Sequence, residues 1–494
     1  MKRGNFQKTK IVATVGPACN TYEGLKSLVE AGVDVFRLNF SHGTHEGHKS
    51  VIDSIVKINA DFGTHISILA DLQGPKLRVG KFPKVMNEAG EMVHGKISIA
   101  LGDILTFTND IAFKENCSKD NVYMSYELFA KDVEVGEKVL VDDGKVVLEV
   151  VETNKNDVAK LKVVHGHFLS SNKGVNLPDT KVSLPALTEK DIEDLDFILT
   201  QPVNWIALSF VRTPKDLEDL SVRIKAKNHD AKIIAKIEKP EAITNIKKII
   251  KASNGIMVAR GDLGVEIPIE KVPGLQKEII KLCIQRARPV IVATQMLDSM
   301  TDAPSPTRAE VTDVANAVLD GTDAVMLSGE TAAGAHPALV VETMRNIIRE
   351  VETGSIYRES IAAKRPVPGK KSTTFISDVV CFNAARVAEE LEAKGIVGMT
   401  TSGYTAFKVS SYRPNTNILI FSDKKDMLNT LNLVWGVRGF FYDRFTSTDE
   451  TIKDVNSILE KEKIVKRGDI LVNTGSMPIE KRYRTNMMRV TLVD

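Results

Sequence analysis

The chain has 494 residues, 43% of them apolar and 26% charged, and a formal net charge of +2. That length accommodates roughly three domains of about 150 residues, and the near-neutral balance argues against any general affinity for nucleic acid or a membrane surface. Cys19, Cys117, Cys283 and Cys381 are scattered without C-x-x-C spacing, which argues against a zinc or disulfide framework and fits a reducing, cytoplasmic setting.

The first apolar run, IVATVG, is too short for a signal-peptide core, and no run approaches the ~18 apolar residues of a membrane span. KIVATVG (10–16), VDVFRLNFS (33–41) and HISILADLQ (65–73) read as strands, with helices predicted over 22–31 and 45–59. This alternation is the signature of a parallel sheet. From about residue 77 to 171 the text changes to short strands with Gly, Asn and Asp turns. In VLVDDGKVVLEV, Asp143-Gly144 favours a type I′ hairpin turn. SNKGVNLP (171–178) reads as the return hinge of this all-β insertion.

Alternation resumes with VNWIALSFV (203–211), KIIAKIE (232–238), GIMVAR (255–260), PVIVATQ (289–295) and AVMLSGE (324–330). With the first three these make eight strands, which predicts an α/β fold of the (β/α)₈ TIM-barrel type. Thr307-x-x-Glu310 is a capping box and Gly321 a C-cap. RPVPGKKS (365–372) reads as a linker to a second α/β pattern with strands IVGMTT, NILIFS, VRGFFYD, DILVNTG and NMMRVTLV. The expected division is a catalytic barrel (1–75 plus 174–350), a β-rich lid (76–173) and a C-terminal α/β regulatory domain (351–494).

The barrel strand ends are polar where strands buried on both faces need not be. Arg37, Asn39 and Ser41 share one face by the two-residue period, as do Lys236 and Glu238. Asp71, Ser209, Arg212, Asp262, Thr294, Ser328 and Glu330 stand at the ends of the other strands. Catalytic groups of a barrel are built at that end. A buried ion pair between neighbouring strands would account for Lys236 and Glu238 alone, but not for the whole set. Glu238 and Asp262 are hard oxygen ligands suited to Mg²⁺, and Lys236 and Arg37 are cations suited to a transferring phosphoryl group. Residue chemistry alone points to a Mg²⁺-dependent enzyme acting on a small anionic phosphorylated substrate; a lyase or aldolase acting on a 2-oxo acid and a non-catalytic metabolite sensor using the C-terminal domain are the alternatives.

RLNFSHG (37–43), DLQGPK (71–76), AKIEKPE (235–241), MVARGDLGVEIP (257–268), ATQMLDSM (293–300), PTRAEVTDVANAVLDGTDAVMLSGETAAG (306–334) and YRP (412–414) resemble the pyruvate kinases over essentially the whole chain. The resemblance implies transfer of the phosphoryl group of phosphoenolpyruvate to ADP. It implies Lys236 stabilising that group, Arg37 contacting phosphate, and Glu238 and Asp262 holding Mg²⁺ (or Mn²⁺). Gly261, Asp262, Thr294 and Ser209 fall around the substrate, with Thr294 and Ser328 placed to relay a proton. Arg78, Lys173 and His42 match nucleotide contacts, and the insertion becomes a lid over ADP. A homotetramer is implied as well.

Many members read D-T-K-G-P-E where this chain has Asp71-Leu72-Gln73-Gly74-Pro75-Lys76. In them K⁺ sits among Asn, Ser, Asp and Thr. Here Leu72 removes a ligand and Lys76 brings a charge, so Asn39, Ser41, Asp71 and Lys76 are expected to form a monovalent-cation-like pocket that does not require K⁺. In the C-terminal domain, hydroxyls and N–H groups of Thr400, Thr401, Ser402, Gly403 and Thr405 suit a phosphate. The resemblance places an allosteric effector there, facing Arg482 and Arg484. The chain lacks the W-R-P-G text of fructose-bisphosphate-responsive members, which points to a sugar monophosphate or AMP.

Overall fold

The computed structural model describes residues 7–86, 92–370, 372–444, 447–477 and 484–493. Eight parallel strands close a barrel: β1 (Lys10–Thr14), β2 (Val35–Asn39), β3 (Ser67–Asp71), β4 (Trp205–Leu208), β5 (Lys232–Ile237), β6 (Gly255–Ala259), β7 (Val290–Ala293) and β8 (Ala324–Leu327). All eight expected strands are present, each shorter than its apolar run. β4 and β7 stop where the backbone flips: Phe210, Thr294 and Gln295 take φ of 54°, 73° and 54°. Such values are costly for side chains with a Cβ, most of all for β-branched threonine. Arg260, expected to end β6, instead opens the helix Arg260–Glu266. The helix expected over 45–59 continues to Phe62 because the left-handed residue that ends it is Gly63, at φ 60°. The capping box of Thr307 and Glu310 and the Gly321 cap form as read.

Alternation along β2 sorts its side chains. Phe36, Leu38 and Phe40 join the large outer core shared with the helices. Val12, Val35, Leu69, Ala207, Ile234, Met257, Ile291 and Met326 form a separate inner cluster. Leu433, from the C-terminal part of the chain, is buried in that same cluster. Beside it, the Trp205 indole donates to the Thr430 carbonyl at 3.1 Å.

The insertion has its own core around Phe107, Phe129, Leu148 and Leu161, under a six-stranded sheet. Asp143 and Gly144 both take positive φ, and Lys145 N–H donates to the Asp142 carbonyl, as a type I′ turn requires. Within the expected return hinge, Val175–Asn176 pairs as a strand with Leu140 and Val141. The C-terminal sheet runs β11-β10-β9-β12-β13, where β9 is Gly395–Met399, β10 Asn417–Ser422, β11 Val437–Phe441, β12 Ile470–Gly475 and β13 Met487–Leu492. Only the β12–β13 pair is antiparallel. Among the described residues no helix is long and apolar enough to cross a membrane.

Barrel and C-terminal sheet are joined by a buried ion pair. The Arg413 guanidinium donates to both Asp323 oxygens at 2.9 and 3.2 Å, and to the Gly321 carbonyl at 3.0 Å. Asp323 also accepts from the backbone N–H of Val290 and Trp435. Asp323→Ala would leave Arg413 buried without its counter-charge. Urea unfolding should show a loss of about 3–5 kcal/mol, and unchanged stability would show that the tie carries no load.

Candidate active site

The C-terminal ends of β2, β3, β4 and β5 bring five charged or polar side chains to one point. Asp71 closes β3 and is 1% exposed. One of its oxygens accepts from Arg37 Nε at 2.7 Å, and the other faces Lys236 Nζ at 3.3 Å. Lys236 also donates to Ser209 Oγ at 2.7 Å and lies 3.0 Å from a Glu238 oxygen. Ser209 in turn donates to the Leu72 carbonyl, and Arg37 reaches Thr14 Oγ1 at 3.1 Å. The ion pair read as a strand-to-strand contact thus runs within β5 and across to β3, not to Asp262.

Burial opposes ionisation of Asp71, but Lys236 and Arg37 outweigh it and hold its carboxyl below the usual range. Burial likewise disfavours the Lys236 ammonium, yet Asp71 and then Glu238 overcome this and push it above its ordinary value. Both groups are therefore charged at neutral pH. Glu238 goes the other way: burial raises it, and Lys236 offsets this only in part.

Glu238 spends one oxygen on the N–H of Phe210 at 2.6 Å, pinning that positive-φ residue. Asp262, in the first turn of Arg260–Glu266, is half-buried and lines a cavity with Lys76, Arg212 and Lys239. It lies within Coulombic reach of both Lys236 and Glu238. Among the described residues no cluster of three or more His, Cys, Asp or Glu forms a metal cage. The Asp262 carboxylate opening on this cavity, with the buried Glu238 within Coulombic reach, fits a Mg²⁺ that keeps several positions for water and substrate oxygens.

At the next strand ends, Gly261 N–H donates to Thr294 Oγ1 at 2.7 Å, and that hydroxyl donates to the Ala293 carbonyl. Arg260 anchors the same turn through the Thr294 carbonyl and Asp313. Ser328 is half-buried, its N–H held by Glu330, whose other oxygen accepts from Leu297 N–H.

The remaining expected residues sit further out. Arg78 donates to the Asn172 carbonyl and Lys173 pairs with Asp142 at 2.9 Å, so both hinge cations are tied to the insertion. His42 is exposed, its carbonyl 2.9 Å from His48 Nε2. Asn39 accepts from Ser41 N–H and so closes the turn after β2. Lys76 is exposed and lines the cavity of Asp262; the structure does not bring it against Asp71, whose oxygens face Arg37 and Lys236. In the C-terminal domain, Thr400, Thr401, Ser402 and Thr405 line a cavity of about 160 Å³ together with Arg484. Gly403, at φ 80°, caps the helix Tyr404–Ser411 and donates to Thr400 Oγ1. Arg482 lies outside the described residues.

Sequence reasoning passed over Glu266 and Lys239. One Glu266 oxygen accepts from Lys239 Nζ at 2.6 Å and from Asn176 of the insertion at 2.7 Å, joining the Asp262 helix to the hinge. The available signal was a carboxylate set between Val265 and Ile267, where burial demands a partner. Arg212 holds the same return segment through the carbonyls of Val182 and Leu184.

Thr294→Gly would delete the hydroxyl that receives Gly261 while keeping a backbone that tolerates φ 73°. Stability should stay within about 1 kcal/mol, since relieved strain offsets lost rigidity. Catalytic turnover should fall by about tenfold or more. An unchanged rate would make the hydroxyl dispensable.

Residues 6–341 match the family model described as pyruvate kinase, barrel domain, and residues 378–491 the one described as pyruvate kinase, alpha/beta domain. Pyruvate kinase of Corynebacterium glutamicum is 42% identical over 99% of this chain and 98% of its own length. Pyruvate kinase 2 of Synechocystis sp. is 42% identical over 99% of this chain and 79% of its own. A crystal structure of a pyruvate kinase from Cryptosporidium parvum superposes with a TM-score of 0.89 at 34% identity, covering 99% of this chain and 96% of that one. With a closed eight-stranded barrel whose mouth gathers Arg37, Asp71, Lys236 and Glu238, the chain belongs to the pyruvate kinase family.

Proposed function

We propose that this chain transfers the phosphoryl group of phosphoenolpyruvate to ADP and releases pyruvate, under control of its C-terminal domain. The observation that carries this reading is the Lys236 ammonium, kept charged among Asp71, Glu238 and Ser209 with Arg37 across Asp71. A phosphoryl group in flight spreads negative charge over its oxygens, and a preorganised cation stabilises it without reorganisation. An ADP β-phosphate oxygen bonds to phosphorus as the bond to the enol oxygen breaks. The enolate left behind then takes one proton at carbon. Lys236 holds the phosphoryl oxygens and Arg37 the phosphate. The start of the Asp262 helix holds the substrate carboxylate, with Gly261 fixed beside it by its N–H bond to Thr294. Thr294, whose proton is engaged by the Ala293 carbonyl, positions this turn. Ser328 is the hydroxyl left to relay the proton. Mg²⁺ would be held by Glu238 and Asp262 and would neutralise phosphate charge. A 2-oxo-acid lyase would have no use for a hinged insertion bearing Arg78 and Lys173, which the kinase reading makes a lid that excludes water from ADP.

The four cysteines are free and buried, which supports a cytoplasmic setting. Family membership supports a homotetramer. The cavity at Thr400–Thr405 supports a phosphorylated effector, a sugar monophosphate or AMP.

In a coupled assay of pyruvate formation, Lys236→Met should lower kcat by about 10²-fold or more; retained activity would refute the assignment. The enzyme is also proposed to run without K⁺. Leu72 is buried in the apolar outer core and offers no side-chain ligand, while Lys76 carries a charge at the mouth. Turnover in K⁺ should equal turnover in tetramethylammonium within about twofold, because no charge is missing. Strong K⁺ activation would overturn this.

A further inference from the structure

A larger cavity, of about 510 Å³, lies away from both sites, where the chain entering β1 meets the helix Ser355–Ala362, the end of the helix Phe375–Glu390 and the segment after Arg413. Four cations line it, Lys8, Arg358, Arg365 and Arg413, against the carboxylates of Glu389 and Glu392. Arg365 is matched by a fork onto Glu389, and Arg413 by Asp323. Among the described residues Lys8 and Arg358 have no ion pair of their own, with Glu352 and Glu389 acting on Lys8 only through space.

Lys8 Nζ has only neutral acceptors, the Pro414 carbonyl at 3.3 Å and Asn415 Oδ1 at 3.5 Å, and it stands 5.3 Å from the centre of the Trp435 ring. The nearby Glu352 carboxylate spends its oxygens on the backbone N–H groups of Lys8 and Thr9. Among the described residues Arg358 reaches only the Thr353 carbonyl, at 3.4 Å. Arg413, 2% exposed, keeps a buried Nε–H without a partner. Burial pushes the Lys8 amine down to about 8, with Glu352 opposing. A withdrawn ammonium with weak partners, such as Lys8, is costly, and an incoming anion removes that cost.

We propose that this cavity is a second anion site, taking a small dianion, a phosphate monoester or a dicarboxylate, between Lys8, Arg358 and the free Nε–H of Arg413. It is separate from the cavity at Thr400–Thr405 and does not depend on the kinase reading. Its walls come from the barrel and from the C-terminal domain, so an occupant bridges the two at the Arg413–Asp323 tie. The expected result of occupancy is a stiffer joint.

The test follows the Lys8 amine in the full-length protein by amine acylation at pH 8, read by peptide mass spectrometry at constant ionic strength. Inorganic phosphate and succinate, each against chloride, are the probes. An anion beside Lys8 should restore its ordinary pKa and slow labelling about tenfold per unit restored, leaving the exposed Lys57 unaffected. Arg358→Ala, on an exposed position that folding does not require, should abolish the protection. Protection by phosphate alone assigns a phosphate ester, by succinate alone a dicarboxylate, and by both their shared dianionic chemistry. No protection by either, or protection undiminished in Arg358→Ala, overturns the proposal.

Discussion

The mouth of the barrel depends on one carboxylate. Arg37 and Lys236 are cations on different strands, both largely withdrawn from water, and their mutual repulsion is tolerable only because Asp71 stands between them. The Arg37–Asp71 contact at 2.7 Å is closer than the Lys236–Asp71 contact at 3.3 Å, and Lys236 is completed by Glu238 at 3.0 Å and Ser209 at 2.7 Å. The arrangement also bears on the monovalent cation. Both Asp71 oxygens already face protein cations, and the neighbouring Leu72 side chain belongs to the apolar outer core. Positive charge at this carboxylate is built into the chain.

Strain at the same rim is held by the functional groups themselves. Phe210 and Thr294 adopt positive φ, and each is fixed by a hydrogen bond from within the site: Phe210 N–H to Glu238, Thr294 Oγ1 from Gly261 N–H. Replacing either partner therefore disturbs both a chemical group and the turn that carries the next one. The Glu238 oxygen facing Lys236 is the one not used for this purpose, so charge pairing and scaffold duty are divided between its two oxygens.

What was legible in the sequence follows from the range of the interactions. The eight barrel strands are dense apolar runs separated by helical ones, and the Lys236–Glu238 relation follows from a two-residue period within one strand. Strand ends were read too long, because positive φ at Phe210 or Thr294 leaves no mark in residues that ordinarily avoid it. The hinge segment 171–178 was read from its turn-forming composition, although Val175–Asn176 pairs in the sheet. The Glu266 link to Lys239 and Asn176 depends on contacts 27 and 90 residues away. Lys76 was expected beside Asp71 on motif proximity, but the chain turns after Gly74, at φ 69°, and carries it to the outer cavity.

The long-range ties that no local pattern reveals also determine how the C-terminal domain can act. They fall at the starts of barrel strands: Lys10 of β1 donates to the Val437 carbonyl at 2.8 Å, Asp323 immediately before β8 holds Arg413, and Trp205 of β4 donates to Thr430. Leu433 is packed into the inner barrel cluster beside them. Lys236, Asp71 and Arg37 sit toward the opposite ends of their strands. Between the two ends lies a close-packed core that transmits displacement better than it deforms. A displacement of the C-terminal sheet would thus meet the barrel as a whole, through its base, and pass on as a rigid-body shift, not as a distortion relayed strand by strand.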